Sequence, residues 1–267
     1  MQPSITVTLR DLDLLDRLAA CTKYCLEVCP EISRTQCSIV EDSWTTKAGP
    51  VLAAKPDMVL ASVPYQLDAL AEIIKCGIPF LGFAPKCLVD VFADIAAIAR
   101  IMGAEARGLE LIARMQREIN AVRQAASGAD SPLVFCEEWG KPLFVSQRWV
   151  AELVEAAGGR FLGEPGKQVT MEEIAAANPD VVVAAWCGAG DRVPLEKIVA
   201  RAGWEQTKAA QNSRVYCVND EFLNTPASTL IQGLQALASA IHPELFPPAT
   251  GLRRIECVAS PRVAQIE

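Results

Sequence analysis

A segment in the middle of the chain, residues 109–122, places Leu109, Ile112, Met115, Ile119 and Val122 three or four residues apart. That spacing predicts one apolar helix face. Glu105, Glu110, Arg114, Arg117, Glu118 and Arg123 fill the other faces, with Glu110 and Arg114 at the favourable i,i+4 spacing. Gly103 stands before the segment and Ser127-Gly128-Ala129-Asp130 after it, so both ends are punctuated. The segment constrains the fold because the chain repeats itself around it. Val51-Leu-Ala-Ala-Lys-Pro-Asp-Met-Val-Leu-Ala61 precedes it, and Ile174-Ala-Ala-Ala-Asn-Pro-Asp-Val-Val-Val-Ala184 follows at an offset of 123 residues, 174 minus 51. Each copy reads as the end of an Ala-rich helix, a Pro-Asp break and a short buried parallel strand. The expected architecture is two similar α/β lobes joined by a helical strut. The divisions are residues 1–103, a linking helix at 104–128, residues 129–246, and a tail at 247–267 with no role in the fold.

Finer reading of the first lobe gives a helix over residues 3–15, with a strand at 5–8 as the competing assignment because Ile5-Thr-Val-Thr8 is β-branched. A strand at 18–22 runs into a loop holding Tyr24 and Cys25, and an irregular stretch continues to residue 43. Helices are expected at 44–54, 66–75 and 89–102, and strands at 58–62 and 80–83. In the second lobe, strands are expected at 133–136, 161–162, 181–185 and 215–218. Helices are expected at 150–157, 195–202 and 226–241, and Thr170 with Glu173 forms a capping box. Glu137, Glu138 and Trp139 fall in a loop.

Of the 267 residues, 51% are hydrophobic and 21% charged, which supports a substantial core and excludes a disordered chain. No apolar run approaches the roughly 20 residues needed to span a bilayer. A formal net charge of −7 argues against nucleic acid as a partner. The one histidine, His242, sits where a helix ends, as a surface or capping residue, so a multi-histidine metal site and a Ser-His-Asp triad are both disfavoured. The start lacks a basic region, a long apolar core and a small-residue cleavage site, and as written the chain is expected in the cytoplasm. Ten cysteines agree with a reducing compartment.

In open parallel sheets, ligands gather beyond the carboxyl ends of the strands. The strand-following loops here hold Tyr24, Tyr65, Trp139, Trp186 and Phe222, interleaved with Glu138 and Asp220. Two such sets face to face suit a large, flat, partly polar ligand.

Several stretches carry a family resemblance. They are Pro3-Ser4-Ile5-Thr6 with Asp16-Arg17-Leu18 and Thr22-Lys23-Tyr24-Cys25; residues 52–61; Cys136-Glu-Glu-Trp-Gly-Lys-Pro-Leu143; Trp149-Val-Ala-Glu-Leu-Val-Glu-Ala-Ala-Gly-Gly159; and Asn178-Pro-Asp-Val-Val-Val183. With their order and spacing, the chain resembles the cobalamin-binding branch of the class III periplasmic-binding-protein family. That helical-backbone group serves ABC importers of vitamin B12, haem and iron–siderophores. The resemblance implies two Rossmann-like lobes on one rigid helix, a ligand between them, no catalysis and no catalytic cofactor. Its ligand is cobalamin or another corrinoid, or alternatively haem or an iron–siderophore. By position, the first lobe would contribute Tyr24, Cys25, Asp42, Ser43, Trp44, Ser62, Pro64, Tyr65 and Pro85. The second would contribute Glu138, Trp139, Trp186, Cys187, Gly188 and Phe222. Glu172, with Asp68 near the first-lobe position, would dock an ABC transporter membrane subunit. The resemblance also implies a first strand ahead of Pro3. Either a start codon lies upstream, with any signal peptide, or lobe one has an edge open to another chain. Ala189 stands where many relatives carry an aromatic.

Cys21, Cys25 and Cys29 are four apart and Cys37 follows. A rival reading makes them a metal or redox cluster of a cytosolic protein, although the spacing matches neither CxxC zinc pairs nor a ferredoxin run. A narrower one makes Cys25 a thiolate ligand to a corrinoid cobalt.

Overall fold

The computed structural model describes residues 2–40, 42, 45–64 and 66–256. The first half runs α1 (Pro3–Asp11), β1 (Ala20–Thr22), α2 (Lys23–Val28), β2 (Ser38–Val40), α3 (Ala48–Ala53), β3 (Val59–Ser62), α4 (Leu67–Lys75), β4 (Phe80–Phe83) and α5 (Leu88–Ile101). The long helix α6 (Glu105–Ala125) follows. The second half runs β5 (Leu133–Gly140), β6 (Leu143–Val145), α7 (Arg148–Ala156), β7 (Arg160–Phe161), α8 (Met171–Ala177), β8 (Val181–Ala184) and α9 (Leu195–Val199). It ends with α10 (Lys208–Gln211), β9 (Val215–Val218), α11 (Glu221–Asn224), α12 (Leu230–Ile241) and β10 (Leu252–Arg254). The fold is two α/β lobes joined by α6.

The second lobe holds a six-stranded sheet of order β10-β9-β8-β5-β6, with β7 also on β5. Strands β7, β5, β8 and β9 pair in parallel; β6 and β10 are antiparallel additions. Val181, Val182, Val183 and Ala184 of β8 are all buried, as expected of a strand covered on both faces. The first lobe is built differently. Its strands form two separate two-stranded parallel sheets, β1-β2 and β3-β4. A cavity of about 360 Å³ lies between them.

Several expectations need correction. Residues 5–8 are helix, as first read, not the competing strand, though α1 stops at Asp11 short of residue 15: Pro3 opens α1, and Ser4 through Leu9 are all buried, so packing outweighs the weak helix preference of the β-branched run. Tyr24 and Cys25 lie on α2 rather than in a loop, and the supposedly irregular stretch after them contains a 3-10 turn (Pro30–Arg34) and β2. Strand β5 runs on through Glu137, Glu138 and Trp139, with a bulge in its pairing to β6 there. Of the tail, β10 pairs with β9, and Ile255 is buried against the second-lobe core. His242 stands at the C-cap of α12 but is buried, with Nδ1 3.1 Å from Glu244. The Thr170 box forms as expected: Glu173 N–H donates to Thr170 Oγ1 at 3.2 Å, and Thr170 N–H donates to Glu173 Oε2 at 2.8 Å.

Helix α6 keeps most of its expected face, with Met115 and Ile119 buried and Ile112 and Val122 half-buried against the core; its first turn departs from it. Gly108, Leu111, Met115 and Ile119 are buried, whereas Leu109 is 58% exposed. The ion pair that Glu110 makes is with Arg117, at 2.8 Å. One continuous core takes in Leu12, Ile95 and Ile98 from the first lobe, Leu111, Met115 and Ile119 of α6, and Leu153 and Leu237 from the second. The helix is thus embedded rather than free-standing. It lies close against α5: a Cβ on Gly108 would lie 2.3 Å from Ala99 Cβ.

Gly108→Ala is therefore expected to destabilise the protein by about 1–3 kcal/mol in urea denaturation, although alanine is the better helix former. A stabilised variant would show that the helices part freely. A second prediction concerns Asp94 on α5, whose carboxyl is pushed up to about 6 by burial and by Asp90. A raised carboxyl opposes folding only once it ionises. The cost is absent below the unfolded value near 4, grows between that and 6, and is complete above 6. Because the side chain is half exposed, Asp94→Asn should add only about 1 kcal/mol at neutral pH and nothing near pH 4.

Candidate ligand-binding site

Three parallel strands of the second lobe, β5, β8 and β9, end side by side, and the residues that leave them are tied together. Cys187 N–H donates to Glu138 O at 3.3 Å. The N–H groups of Gly188 and Gly190 both donate to the Asp220 carboxylate at 2.8 Å. Gln147 Nε2 donates to Glu138 Oε2 at 2.8 Å. Asn224 Nδ2 bridges Ala185 O at 2.8 Å and Cys187 Sγ at 3.3 Å. Trp139 stands 47% exposed, its indole N–H held by Lys141 O at 2.9 Å. The arrangement is a polar rim beside one exposed aromatic face.

The rim's electrostatics follow from crowding. Burial holds the Glu138 carboxyl above the usual carboxylate range, against the lowering effect of Gln147. Burial likewise raises Asp220, against the two glycine N–H groups. The packing around the Cys187 side chain, then the Glu138 and Asp220 charges, push its thiol up to about 12. Arg192 acts on Asp220 from the same loop.

Behind the rim lies a rigid backing. Glu137 is fully buried, and both its oxygens accept from Arg201, at 2.6 and 2.7 Å. Trp186 Nε1 also donates to Glu137, at 2.8 Å. The Arg201 guanidinium lies over the Trp204 ring at 4.6 Å. Trp186 packs over Gly140, where a Cβ would sit 2.7 Å from its ring. Trp186 is thus half-buried and locked, unlike Trp139. Phe222 is half-buried on α11, its ring against Gly251.

The expected first-lobe residues are more scattered. Tyr24 is 39% exposed, with Lys23 over its ring. Asp42 accepts from the N–H and hydroxyl of Thr45, at 2.7 and 3.0 Å, and so holds its own turn. Ser62 is buried, and with the exposed Pro64 it borders a crevice of about 10 Å³. Pro85 is buried. Ser43, Trp44 and Tyr65 lie outside the described residues. Cys25 has no exposed surface, and its sulfur sits 3.3 Å from Thr22 Oγ1, so it has no face to offer a corrinoid cobalt. Cys21, Cys25 and Cys29 are enclosed with Ile32 in a small apolar cluster, and among the described residues no group of three or more His, Cys, Asp or Glu is arranged to hold a metal ion.

Asp68 and Glu172 occupy equivalent places, each exposed in the first turn of a helix, α4 and α8. Sequence reasoning missed Gln147, Asn224 and Arg201, and left Asp220 out of the contact set. For Asp220 the signal was present, since it closely follows a strand of four apolar-type residues. Gln147 and Arg201 are brought in only by tertiary packing.

Comparison with known proteins gives consistent results. A family model described as periplasmic binding protein matches residues 1–221. An uncharacterised ABC transporter substrate-binding lipoprotein of Bacillus subtilis is 26% identical over 211 residues, 73% of this chain. The chain spans 65% of that relative's length. A cobalamin-binding protein of Halobacterium salinarum is 24% identical over 252 residues, covering 91% of this chain and 68% of the relative. Among solved structures, a periplasmic haem-binding protein from Pseudomonas aeruginosa superposes with a TM-score of 0.79 at 20% identity, covering 95% of each chain.

Removing one partner of the buried pair behind the rim should be severe. Glu137→Ala is expected to cost about 3–5 kcal/mol in urea denaturation, because it leaves the Arg201 charge buried and Trp186 without its acceptor. Combining it with Arg201→Met should recover part of that loss; a double variant as weak as the single would show that the charge is not the cause.

Proposed function

The chain belongs to the periplasmic binding protein family, and we propose that it captures cobalamin or a related corrinoid and delivers it to an ABC-type importer, without chemistry on the ligand. In this reading residues 1–103 and 129–246 are the two jaws, and residues 104–128 hold them at a set distance. Delivery to an importer places capture on the outer side of the cytoplasmic membrane. No helix among the described residues is long and apolar enough to cross a membrane.

The observation that carries the proposal is the second-lobe rim. It offers two carboxylates, Glu138 and Asp220, a neutral amide, Gln147, and an exposed indole, Trp139. The nearby Arg201 is consumed by Glu137, which leaves Arg192 as the cation acting on Asp220. A corrin is broad and rimmed by carboxamides, which donate to carboxylates and accept from amides. Haem presents carboxylates and ferric siderophores are often anionic, so both would meet like charge here. The cobalamin-binding relative, matched over 91% of this chain, supports the same choice. Tyr24, Pro64 and Phe222 complete the contact surface, and Asp68 and Glu172, one exposed acid per lobe, face the transporter.

Calorimetric titration with cyanocobalamin, haemin and a ferric siderophore tests this. Cyanocobalamin should bind, and Trp139→Ala should weaken it by about tenfold or more, the loss of roughly 1–3 kcal/mol of aromatic contact. Tight binding of haemin with none of cyanocobalamin would replace the corrinoid reading with the haem one.

A further inference from the structure

One apolar cluster of the first lobe is small and rich in sulfur. Cys21, Cys25 and Cys29 are enclosed there with Ile32, and Cys37 packs against them. The other buried cysteines are dispersed: Cys136 lies in the core shared by both lobes, and Cys217 in the second-lobe core. The Cys21 thiol interacts with those of both Cys25 and Cys37. Strand β1 carries Cys21, and Cys37 stands directly before β2, whose Ser38 N–H donates to Ala19 O at 3.0 Å. Neighbouring strands run about 4.8 Å apart, the scale on which a disulfide joins two residues. The two possible partners of Cys21 differ in access. Cys25 is fully buried, with Thr22 Oγ1 3.3 Å from its sulfur. Cys37 is half-buried, and its thiol meets Ser38 O at 3.5 Å in an exposed setting.

We propose that Cys21 and Cys37 are a disulfide site, closed by exchange with an external disulfide, and that the bond staples the segment between them. Cys37, the accessible thiol, loses its proton and attacks one sulfur of the external disulfide. The other sulfur leaves as a thiolate and takes up a proton. Cys21 then loses its proton and attacks Cys37 Sγ, which breaks the mixed disulfide and frees the second external thiol. Two protein thiols are thereby oxidised to one disulfide, and one external disulfide is reduced to two thiols. Oxidants of that class act outside the cytoplasm, where delivery to an importer would place the chain. Burial holds the Cys37 thiol above its ordinary range, so exchange quickens as pH rises. The use of the bond follows from the size of the cluster. Strands β1 and β2 have three residues each and α2 has six, over few apolar contacts, so this segment opens more readily than the main core. Joining residues 21 and 37 restricts the open forms of residues 22–36 and steadies α2, which carries Tyr24.

Trypsin, cutting after Arg17, Lys23, Arg34 and Lys47, sorts these cysteines onto three peptides: 18–23 holds Cys21, 24–34 holds Cys25 and Cys29, and 35–47 holds Cys37. The test oxidises the folded whole chain with glutathione disulfide, blocks the remaining thiols, and reads the unreduced digest by mass spectrometry. Peptides 18–23 and 35–47 should be joined, and sooner at higher pH. Cys21→Ser and Cys37→Ser should each abolish that link and Cys25→Ser should keep it, with circular dichroism to show that each variant is folded. Amide hydrogen exchange across residues 22–36 should slow at least about tenfold in the oxidised protein and recover on reduction with dithiothreitol. The proposal is overturned if 18–23 is joined to 24–34 instead, if glutathione stays on Cys37 with no internal link, or if the link forms only in urea. It is equally overturned by a link that leaves exchange across 22–36 unchanged, since the bond then staples nothing. The cyanocobalamin titration, run on the reduced protein, stands or falls separately.

Discussion

The contact between α5 and α6 at Ala99 and Gly108 sets the geometry on which the rest of the molecule depends. With no Cβ on Gly108, the two helices approach more closely than any larger side chain would permit. That approach seats the buried row of Leu111, Met115 and Ile119 in the core shared by both lobes, where α6 packs on α5 of the first and on α7 and α12 of the second. At its far end Ala126 reaches the neighbourhood of Gly158, where the buried His242 also packs. The relation between the lobes is therefore held by apolar burial along the whole of α6. Further fixings include Glu152 Oε2 accepting from Leu88 N–H at 2.8 Å, and the hydrogen bond from Ser228 to Asp11.

On this frame the two lobes present unequal surfaces. In the second, strand ends are cross-linked by hydrogen bonds and backed by a buried ion pair, so the rim is set before any ligand arrives. Pre-organisation of that kind lowers the entropic cost of binding. In the first, the expected contact residues sit on separate short elements, and the sheet is divided. In the proposed reading, the recognition chemistry therefore falls mainly to the second lobe, and the first contributes a wall.

Much of this was legible in the residues. Pro56-Asp57 and Pro179-Asp180 announced β3 and β8, because proline ends a helix and the apolar runs after it are too short for anything but buried strands. The capping box at Thr170 was legible because its two partners are three residues apart. What failed depended on distant partners. Glu137 and Trp139 look like loop residues until Arg201, 64 residues on, neutralises the one and β6 pairs with the other. Leu109 fits the apolar period as well as Leu111 does, and only the close approach at Gly108 decides which of them turns inward. Cys25 beside Tyr24 looked available because a loop exposes both neighbours, whereas a helix turns one in and one out. His242 gave no sign of burial, since the glycine against which it packs lies far away in the chain.

The continuous core also governs when this polypeptide can take its shape during synthesis. The apolar sides of α1 and α5 are completed by α7 and α12, and the outermost sheet pairing waits for β10. A nascent chain therefore carries its first hundred or so residues out before α7 and α12 exist to cover them. Consolidation waits for the second lobe, and until then the emerging segment is one that holding chaperones can grip.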